Sequence, residues 1–211
     1  MTNDTSPALV VVDLVHRYGS LVAIDHVSLT VGDGEFVTIL GPSGSGKTTF
    51  LRVIGGFEDA SEAATLEIAG TDVRGLPANH RPVATVFQQY ALFPHMSVGE
   101  NIEYGMKLRK IQPVERRKRA EAALDLMRLT GKYDRRINQL SGGERQRVAF
   151  ARAFVIEPRM LLLDEPMGAL DEKLRRDMQV EVRNLQRTLG TTFLQVTHSQ
   201  EEALTMSDRI V

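Results

Sequence analysis

A glycine-rich segment constrains the fold of this 211-residue chain more than any other feature. Residues 41–48 fit the pattern G-x-x-x-x-G-K-[ST], between an apolar run at 35–40 and a helical pattern that begins at Lys47. In such a strand–loop–helix unit, backbone N–H groups converge on phosphate oxygens and the helix presents its positive end to them. The segment therefore predicts a phosphate site. The alternative is a glycine turn that only caps a helix.

The polar residues of this segment have distinct predicted roles. Lys47 would reach the β- and γ-phosphates of a nucleotide, and the Thr48 hydroxyl would ligate Mg²⁺. We expect the other nucleotide contacts to come from Gly41, Pro42, Ser43, Gly44, Ser45, Gly46 and Thr49.

Two carboxylates follow a second apolar run. Residues 160–163 are apolar and are bounded by Pro158 and Asp164, which favours a strand buried on both faces. Ligands of open α/β sheets bind at the carboxyl ends of the strands. Asp164 would therefore hold Mg²⁺ through water, and Glu165 would polarise an attacking water as general base. The alternative is ordinary turn chemistry after a strand.

The order of elements predicts an α/β fold. The patterns indicate strands at 9–14, 35–40, 66–69, 83–87, 160–163 and 192–197. They indicate helices that begin at Lys47, that span 98–130 with a break near Pro113, that run from near Gly142 to before Pro158, and that span 171–189. This alternation favours a mostly parallel sheet with helices on both faces. The basic run at 116–119 is typical of a solvated helix face, with a partner-binding patch as the alternative.

Composition excludes several kinds of function. The net charge of −1 gives no electrostatic argument for binding nucleic acid, so we expect no nucleic-acid partner. The absence of cysteine excludes disulfides and thiolate metal sites. No apolar run approaches 18 residues, and the N-terminal residues lack the pattern of a signal peptide. A membrane role would have to come through a partner.

The segment Leu140–Arg147, LSGGERQR, resembles the signature motif of ATP-binding cassette (ABC) ATPases. The resemblance covers nearly the whole chain. It implies a P-loop NTPase (RecA-like) fold with a mostly parallel core, an antiparallel β part and an inserted helical subdomain. The single ABC ATPase domain would have its core at about 1–88 and 158–211 and its helical insertion at about 89–157. The resemblance also implies a remainder of the core and a C-terminal regulatory domain beyond Val211.

The same resemblance implies further site residues. Tyr18 would stack on adenine, Gln88 would reach Mg²⁺ and the attacking water, and His198 would contact the γ-phosphate. The first could instead be an edge-strand tyrosine and the last a structural histidine. Contacts to ATP bound on a second subunit would come from Ser141, Gly142, Gly143, Glu144 and, in the D-loop at 168–171, Asp171.

Two of these assignments have structural alternatives. Ser141 and Glu144 form S-x-x-E, a capping box, and Asp171 is a good N-cap for the helix that follows it. A capped helix start with two glycines is also a ready anion site. A second phosphate-binding helix start serves a purpose if two chains pair head to tail around two ATP molecules, as a homodimer or with a paired ABC subunit.

Within the family, the chain is similar to ATPases of solute importers, in the group that takes up polyamines, ferric iron, sulfate and sugars. The polyamine branch is nearest. This implies an ATP-hydrolysing subunit at the cytoplasmic face of the cell membrane, coupled to a transmembrane permease and indirectly to a solute-binding protein. The permease would dock on exposed apolar anchors at Tyr90, Leu92, Phe93 and Pro94, which could instead pack inside the insertion. The alternatives are a non-transport ABC ATPase, an exporter ATPase or a nucleotide-binding regulatory subunit without turnover.

Overall fold

A computed structural model describes residues 6–168 and 170–211. The chain divides into two compact units. The first comprises the residues up to Thr85, Arg159–Glu165 and Gln179–Val211, and the second comprises Val86–Pro158 and Pro166–Met178. The domain boundaries expected from the sequence stay a prediction. Within the described ranges, no helix has both the length and the apolar character that a membrane crossing requires.

An antiparallel sheet in the first unit has the strand order β2-β1-β4-β5. Its strands are β1 (Leu9–Tyr18), β2 (Leu21–Val31), β4 (Thr65–Ile68) and β5 (Thr71–Asp72). Strand β1 is longer than predicted, and β2 was not predicted. A turn at Gly19-Ser20 joins the two, with Gly19 at φ +60°, a left-handed conformation that favours glycine. The long β1–β2 hairpin carries Tyr18 at its tip.

The second sheet of this unit confirms the predicted parallel core. Its strand order is β6-β7-β8-β3-β9, with β3 (Phe36–Leu40), β6 (Val83–Val86), β7 (Met160–Asp164), β8 (Thr192–Thr197) and β9 (Arg209–Ile210). Parallel pairing places Leu40 beside Thr197 and Asp164 beside Val196. The segments that follow β3, β7 and β8 therefore begin at one edge of the sheet.

Three helices belong wholly or partly to the first unit. They are α1 (Lys47–Gly55), α5 (Glu172–Leu189), which belongs to this unit from Gln179 onward, and α6 (Gln200–Met206), which was not predicted. Helix α1 buries Phe50, Leu51, Val53 and Ile54 in a core that it shares with both sheets. The apolar residues that predicted this helix from the sequence are thus the ones that hold it in the core.

The second unit is helical among its described residues. Helices α2 (Val98–Leu108), α3 (Pro113–Leu126) and α4 (Gly142–Phe154) pack on one another. Pro113 occupies the first turn of α3, where its missing N–H costs no hydrogen bond. The predicted break at this proline is confirmed.

The basic run on α3 forms ion pairs within the second unit. Arg116 contacts Glu103 at 3.1 Å, Arg117 contacts Glu121 at 2.9 Å and Arg119 contacts Glu115 at 2.6 Å. The last two are i,i+4 pairs along the helix, which add little free energy of folding but neutralise its charge. This pairing favours the solvated-face interpretation over a basic patch for a partner.

Arg81 closes the C-terminal end of α1. Its guanidinium donates to the carbonyl oxygens of Val53 at 2.6 Å, Ile54 at 2.9 Å and Leu76 at 2.8 Å. The side chain is 4% exposed, and burial lowers the pKa of this arginine. The last carbonyls of a helix have no partner within the helix, so this side chain adds a donor at a buried helix end, where the Gly56 N–H also donates to the Val53 carbonyl at 3.2 Å.

We expect Arg81→Met to lower the free energy of unfolding by about 2–4 kcal/mol, since the change removes three hydrogen bonds from a buried guanidinium to carbonyl oxygens. Urea unfolding monitored by circular dichroism measures the loss. The matched control is Arg159→Met, because Arg159 is exposed in the same unit. Equal stability of the two variants would contradict the assigned role of Arg81.

Candidate functional site

The glycine-rich segment forms a tight loop between β3 and α1. Gly44 and Gly46 adopt φ of +82° and +87°. A Cβ on Gly46 would lie 2.3 Å from the carbonyl oxygen of Ala23 on β2, a distance that real Cβ atoms do not reach. Gly46 is also the N-cap of α1 and supplies no side-chain cap. The first N–H groups of α1 are therefore available to an anion.

Lys47 is held against this loop. It is 8% exposed, and its Nζ donates to the Pro42 carbonyl at 2.6 Å and to Ser45 Oγ at 3.2 Å. A buried ammonium requires acceptors. These bonds keep the positive charge at the loop where the sequence predicts phosphates.

Thr48 and Asp164 meet across the edge of the parallel sheet. The Thr48 hydroxyl donates to Asp164 Oδ1 at 2.9 Å. Burial raises the pKa of Asp164, an effect that the Thr48 hydrogen bond opposes. The described residues contain no group of three metal-ligating His, Cys, Asp or Glu side chains. One carboxylate beside one hydroxyl fits Mg²⁺, which binds through few protein oxygens and takes its other ligands from phosphates and water.

Glu165 and His198 form the other polar pair at this edge. His198 Nδ1 lies 3.2 Å from Glu165 Oε2, and the Glu165 side chain is 21% exposed. Glu165 has φ +44°, and its N–H donates to the Val196 carbonyl at 3.1 Å. A left-handed glutamate at the end of a strand costs free energy and typically persists where the surrounding structure holds it. Its carboxylate is thus directed by the backbone as well as by the histidine.

A buried glutamate supports the segment that carries His198. Glu202, at 4% exposure, accepts hydrogen bonds from Thr197 Oγ1 at 2.7 Å and from Gln195 Nε2 at 3.1 Å. The Ser199 N–H donates to Thr197 Oγ1 at 3.1 Å, and Ser199 Oγ caps α6 by accepting from the Glu202 N–H. The position of His198 is therefore set by residues on both sides of it.

A cleft of about 450 Å³ joins these elements within the first unit. Its lining residues are Tyr18, Leu21, Val22, Ala23, Ser43, Gly44, Gly46, Lys47, Thr48, Thr49 and Glu165. One end is apolar and aromatic, from the β1–β2 hairpin, and the other is the polar loop at the start of α1. Its size is that of a small-molecule site, and its two ends suit a planar base and a chain of phosphates.

Three residues of the cleft were missed by the sequence reasoning. Leu21, Val22 and Ala23 belong to β2, the strand that was not predicted. The signal was the Gly19-Ser20 pair between two apolar runs, since two-residue turns containing glycine are typical of hairpins. Recognising the hairpin would have placed apolar residues beside Tyr18.

Other predicted site residues belong to the second unit. Ser141 Oγ accepts from the Glu144 N–H at 3.3 Å, and Glu144 Oε2 accepts from the Ser141 N–H at 2.8 Å, which confirms the capping box at the start of α4. An ion pair with Lys132, together with the Ser141 N–H, lowers the pKa of Glu144. Gly142 follows the cap, and a Cβ on buried Gly143 would lie 2.9 Å from the Leu174 side chain.

Asp171 acts as a helix cap, as the structural alternative predicts. Its Oδ1 accepts from the Leu174 N–H at 2.9 Å, at the start of α5. Ala169, in the predicted D-loop, lies outside the described residues.

The segment predicted to meet a permease is less exposed than expected. Gln88 and Pro94 are exposed, but Tyr90, Leu92 and Phe93 are half-buried. The Phe93 ring packs on Tyr104 at a centroid distance of 4.6 Å. The expectation that all four anchors are exposed is therefore wrong for Tyr90, Leu92 and Phe93, and the packing of Phe93 on Tyr104 explains the burial of its ring.

Tyr90 and Ala91 both adopt positive φ, at +61° and +48°. Their carbonyl oxygens accept from Arg152 at 2.8 and 2.6 Å. Arg152 thus stabilises a strained turn in the middle of this segment.

Comparison with known proteins extends these observations. A family model described as ABC transporter matches residues 24–168. A spermidine/putrescine import ATP-binding protein, PotA, of Bacteroides fragilis is 51% identical over 100% of this chain and 46% of its own length. The protein of the same name from Mannheimia succiniciproducens is 52% identical over 98% of this chain and 55% of its own length. The chain spans about half the length of these curated relatives.

The fold is similar to that of solved cassettes. MJ0796, a bacterial ABC transporter cassette solved as a dimer, superposes with a TM-score of 0.82 at 32% identity, covering 96% of this chain and 93% of that one. Another dimeric structure of MJ0796, in a post-hydrolysis state bound to ADP and Pi, gives the same values. A cassette of the cbiONQ transporter complex from Clostridium perfringens gives 0.86 at 26% identity, covering 97% and 83%.

We expect Gly46→Ala to abolish measurable nucleotide binding, because the new Cβ would overlap the Ala23 carbonyl and force the loop away from the β1–β2 hairpin. Gly44→Ala is the matched control, since it has a similar φ but no atom within 4 Å of its Cβ. Its ATP binding should weaken by no more than the free-energy cost of a left-handed alanine, about 1 kcal/mol. Calorimetric titration with ATP compares the two. Equal losses would show that the contact with Ala23 is unimportant.

Proposed function

This chain belongs to the ABC transporter family, and from that premise we propose that it is the ATP-binding and ATP-hydrolysing subunit of an importer. The observation that carries the proposal is the cleft of the first unit, which is lined by an uncapped helix start, Lys47, Glu165 and an aromatic hairpin tip. His198 lies beside Glu165. The helix start and Lys47 would bind the phosphates, Glu165 and His198 would act at the γ-phosphate, and the hairpin tip would support the base.

In this proposal, different residues bind the phosphates, activate the attacking water and support the base. The N–H groups from Gly44 to Thr49 and the Lys47 ammonium hold the phosphates and stabilise their charge. Glu165 accepts a proton from the attacking water as general base. His198, beside that carboxylate, contacts the γ-phosphate, and the Tyr18 ring supports the base.

Mg²⁺ is the metal that this site would take. The Thr48 hydroxyl and the Asp164 carboxylate would hold it. The ion would supply positive charge that offsets the negative charge of the phosphates during phosphoryl transfer. Asp164, whose pKa burial raises, would then gain a cation as partner for its carboxylate.

Glu165→Gln should lower ATP turnover by about 10²- to 10⁴-fold while leaving ATP binding intact, since it removes a general base and keeps the shape of the side chain. Phosphate release measures turnover, and calorimetry measures binding. Glu62→Gln, at an exposed carboxylate of the same unit, is the control and should keep full turnover. If the Glu165→Gln variant turned over ATP about as fast as the unaltered chain, Glu165 would not be the general base.

We further propose that two chains pair head to tail around two ATP molecules. Ser141, Gly142, Gly143, Glu144 and Asp171 would contact the ATP bound by the partner chain. Support comes from the dimeric solved cassettes, at 32% identity, and from the start of α4, where two glycines follow the cap and let an anion approach.

A mixed dimer of one Ser141→Arg chain and one Lys47→Ala chain tests this pairing. Both lesions should fall in one composite site and leave the other intact. Dimers of either variant alone should have no intact site. Nucleotide occupancy and phosphate release of purified mixed dimers, compared with both parent dimers, measure the difference. A mixed dimer no more active than its parents would exclude the cross-subunit arrangement.

The importer role rests on the relatives, which are named as spermidine/putrescine import ATP-binding proteins. We propose that this chain energises uptake of a polyamine-type solute through a permease, at the cytoplasmic face of the membrane, with a solute-binding protein delivering the cargo. The segment around Tyr90 and Phe93 would meet the permease through its exposed residues. Co-purification with a permease and uptake of labelled spermidine by reconstituted vesicles test this role.

A further inference from the structure

Three side chains converge on the carboxylate of Glu58, just beyond α1. The Tyr18 hydroxyl donates a hydrogen bond to Oε2. His16 Nε2 lies 3.0 Å from the same oxygen, and Arg52 Nη1 lies 3.4 Å from Oε1. None of these contacts serves the phosphate end of the cleft, so they have another role.

This cluster changes from buried to exposed toward the cleft. The side chains of His16 and Glu58 are 8% and 18% exposed, whereas Tyr18 is 45% exposed. The His16 ring is itself fixed, because its Nδ1 lies 2.8 Å from the Asp59 carbonyl oxygen. It meets the Tyr18 ring edge-on, at a centroid distance of 4.7 Å and an interplanar angle of 83°. Tyr18 is thus held at its hydroxyl and at one side while it lines the cleft.

Such an anchor matters because of where Tyr18 lies. An exposed tyrosine at the tip of a hairpin samples several rotamers, and a ligand that stacks on it must order the ring. A carboxylate that accepts from the Tyr18 hydroxyl and from Arg52, with the His16 ring lying against it, has little freedom of its own. It can therefore fix the phenol. The ring is then ordered before the ligand arrives, and its ordering no longer lowers the affinity.

We propose that Glu58 is a positioning residue for the nucleotide base. It acts through the Tyr18 hydroxyl and sets the orientation of the ring on which the base stacks. The inference rests on the proposed ATP-binding function and adds to it the residue that organises the base end of the cleft. Glu58 touches no phosphate, so its effect is confined to ligands that carry a base.

A double-mutant cycle read with two ligands tests this role in the full chain. Calorimetry measures the affinity for ATP, which has a base, and for inorganic tripolyphosphate, which has none. We expect Tyr18→Phe and Glu58→Ala each to weaken ATP binding about 3- to 10-fold, the scale of one hydrogen bond. The double variant should bind ATP no more weakly than either single variant, since both changes remove the same bond. Tripolyphosphate affinity should stay unchanged in all three.

Two further variants complete the design. Glu58→Gln should keep ATP affinity close to that of the unaltered chain, because the amide oxygen can still accept the phenol hydrogen bond. Glu62→Ala, at an exposed glutamate of the same segment, should change neither affinity. Rescue by glutamine combined with unchanged tripolyphosphate binding supports the positioning role.

The contrary outcomes are distinct. Losses of ATP affinity that add in the double variant, or an equal loss of tripolyphosphate affinity in Glu58→Ala, would show that Glu58 only stabilises the fold. Unaltered ATP affinity in Glu58→Ala would overturn the inference and leave the proposed function in place. Failure of the unaltered chain to bind ATP would overturn the proposed function together with this inference.

Discussion

The close approach of Gly46 to the carbonyl of Ala23 is the contact on which the rest of the first unit depends. It brings the β1–β2 hairpin against the loop before α1 at a distance that leaves no room for a Cβ. The same glycine caps α1 without a side chain, so the N–H groups of the helix remain available. One residue therefore joins the base end of the cleft to its phosphate end. Helix α1 is buried in the core against both sheets, which holds its N-terminal end in place beside the loop.

The polar residues of the cleft are stabilised by one another and by residues that do not line the cleft. Asp164 is paired with Thr48, and Glu165 is directed by a backbone bond to Val196 and by His198. Buried Glu202 fixes the segment that carries His198, and Glu58 fixes Tyr18. Carboxylates thus appear both in the site and behind it. Buried polar networks of this kind specify one arrangement, because an unpaired member would cost more free energy than its bond contributes.

The sequence predicted most of what depends on local patterns. The loop at 41–48, the buried strand at 160–163 and the capping box at Ser141 each follow from short-range chemistry, and the structure contains all three. Strand β2 was not predicted because its polar residues Asp25, His26 and Ser28 interrupt the apolar alternation of the sequence. Register shifts in its pairing with β1 also disturb the two-residue period of a strand. The partial burial of Phe93 depends on packing against Tyr104, a contact that no pattern along the chain shows. The contact of Glu58 with Tyr18 could not be predicted for the same reason, since the two residues lie 40 positions apart along the chain.

The two helix starts proposed as phosphate sites differ in a way that bears on the order of events. Helix α1 begins without a side-chain cap, so an anion there satisfies N–H groups that have no other partner. Helix α4 begins with a complete capping box, and Glu144, charged and paired with Lys132, already lies at its positive end. An anion at α4 therefore gains less and meets a carboxylate nearby. In the proposed head-to-tail dimer, ATP would therefore bind first to the loop of its own chain. The start of α4 would add affinity only when the partner presents phosphates already neutralised by its Lys47. With this order, pairing of the chains in the proposed dimer would be a consequence of nucleotide binding and not a condition for it.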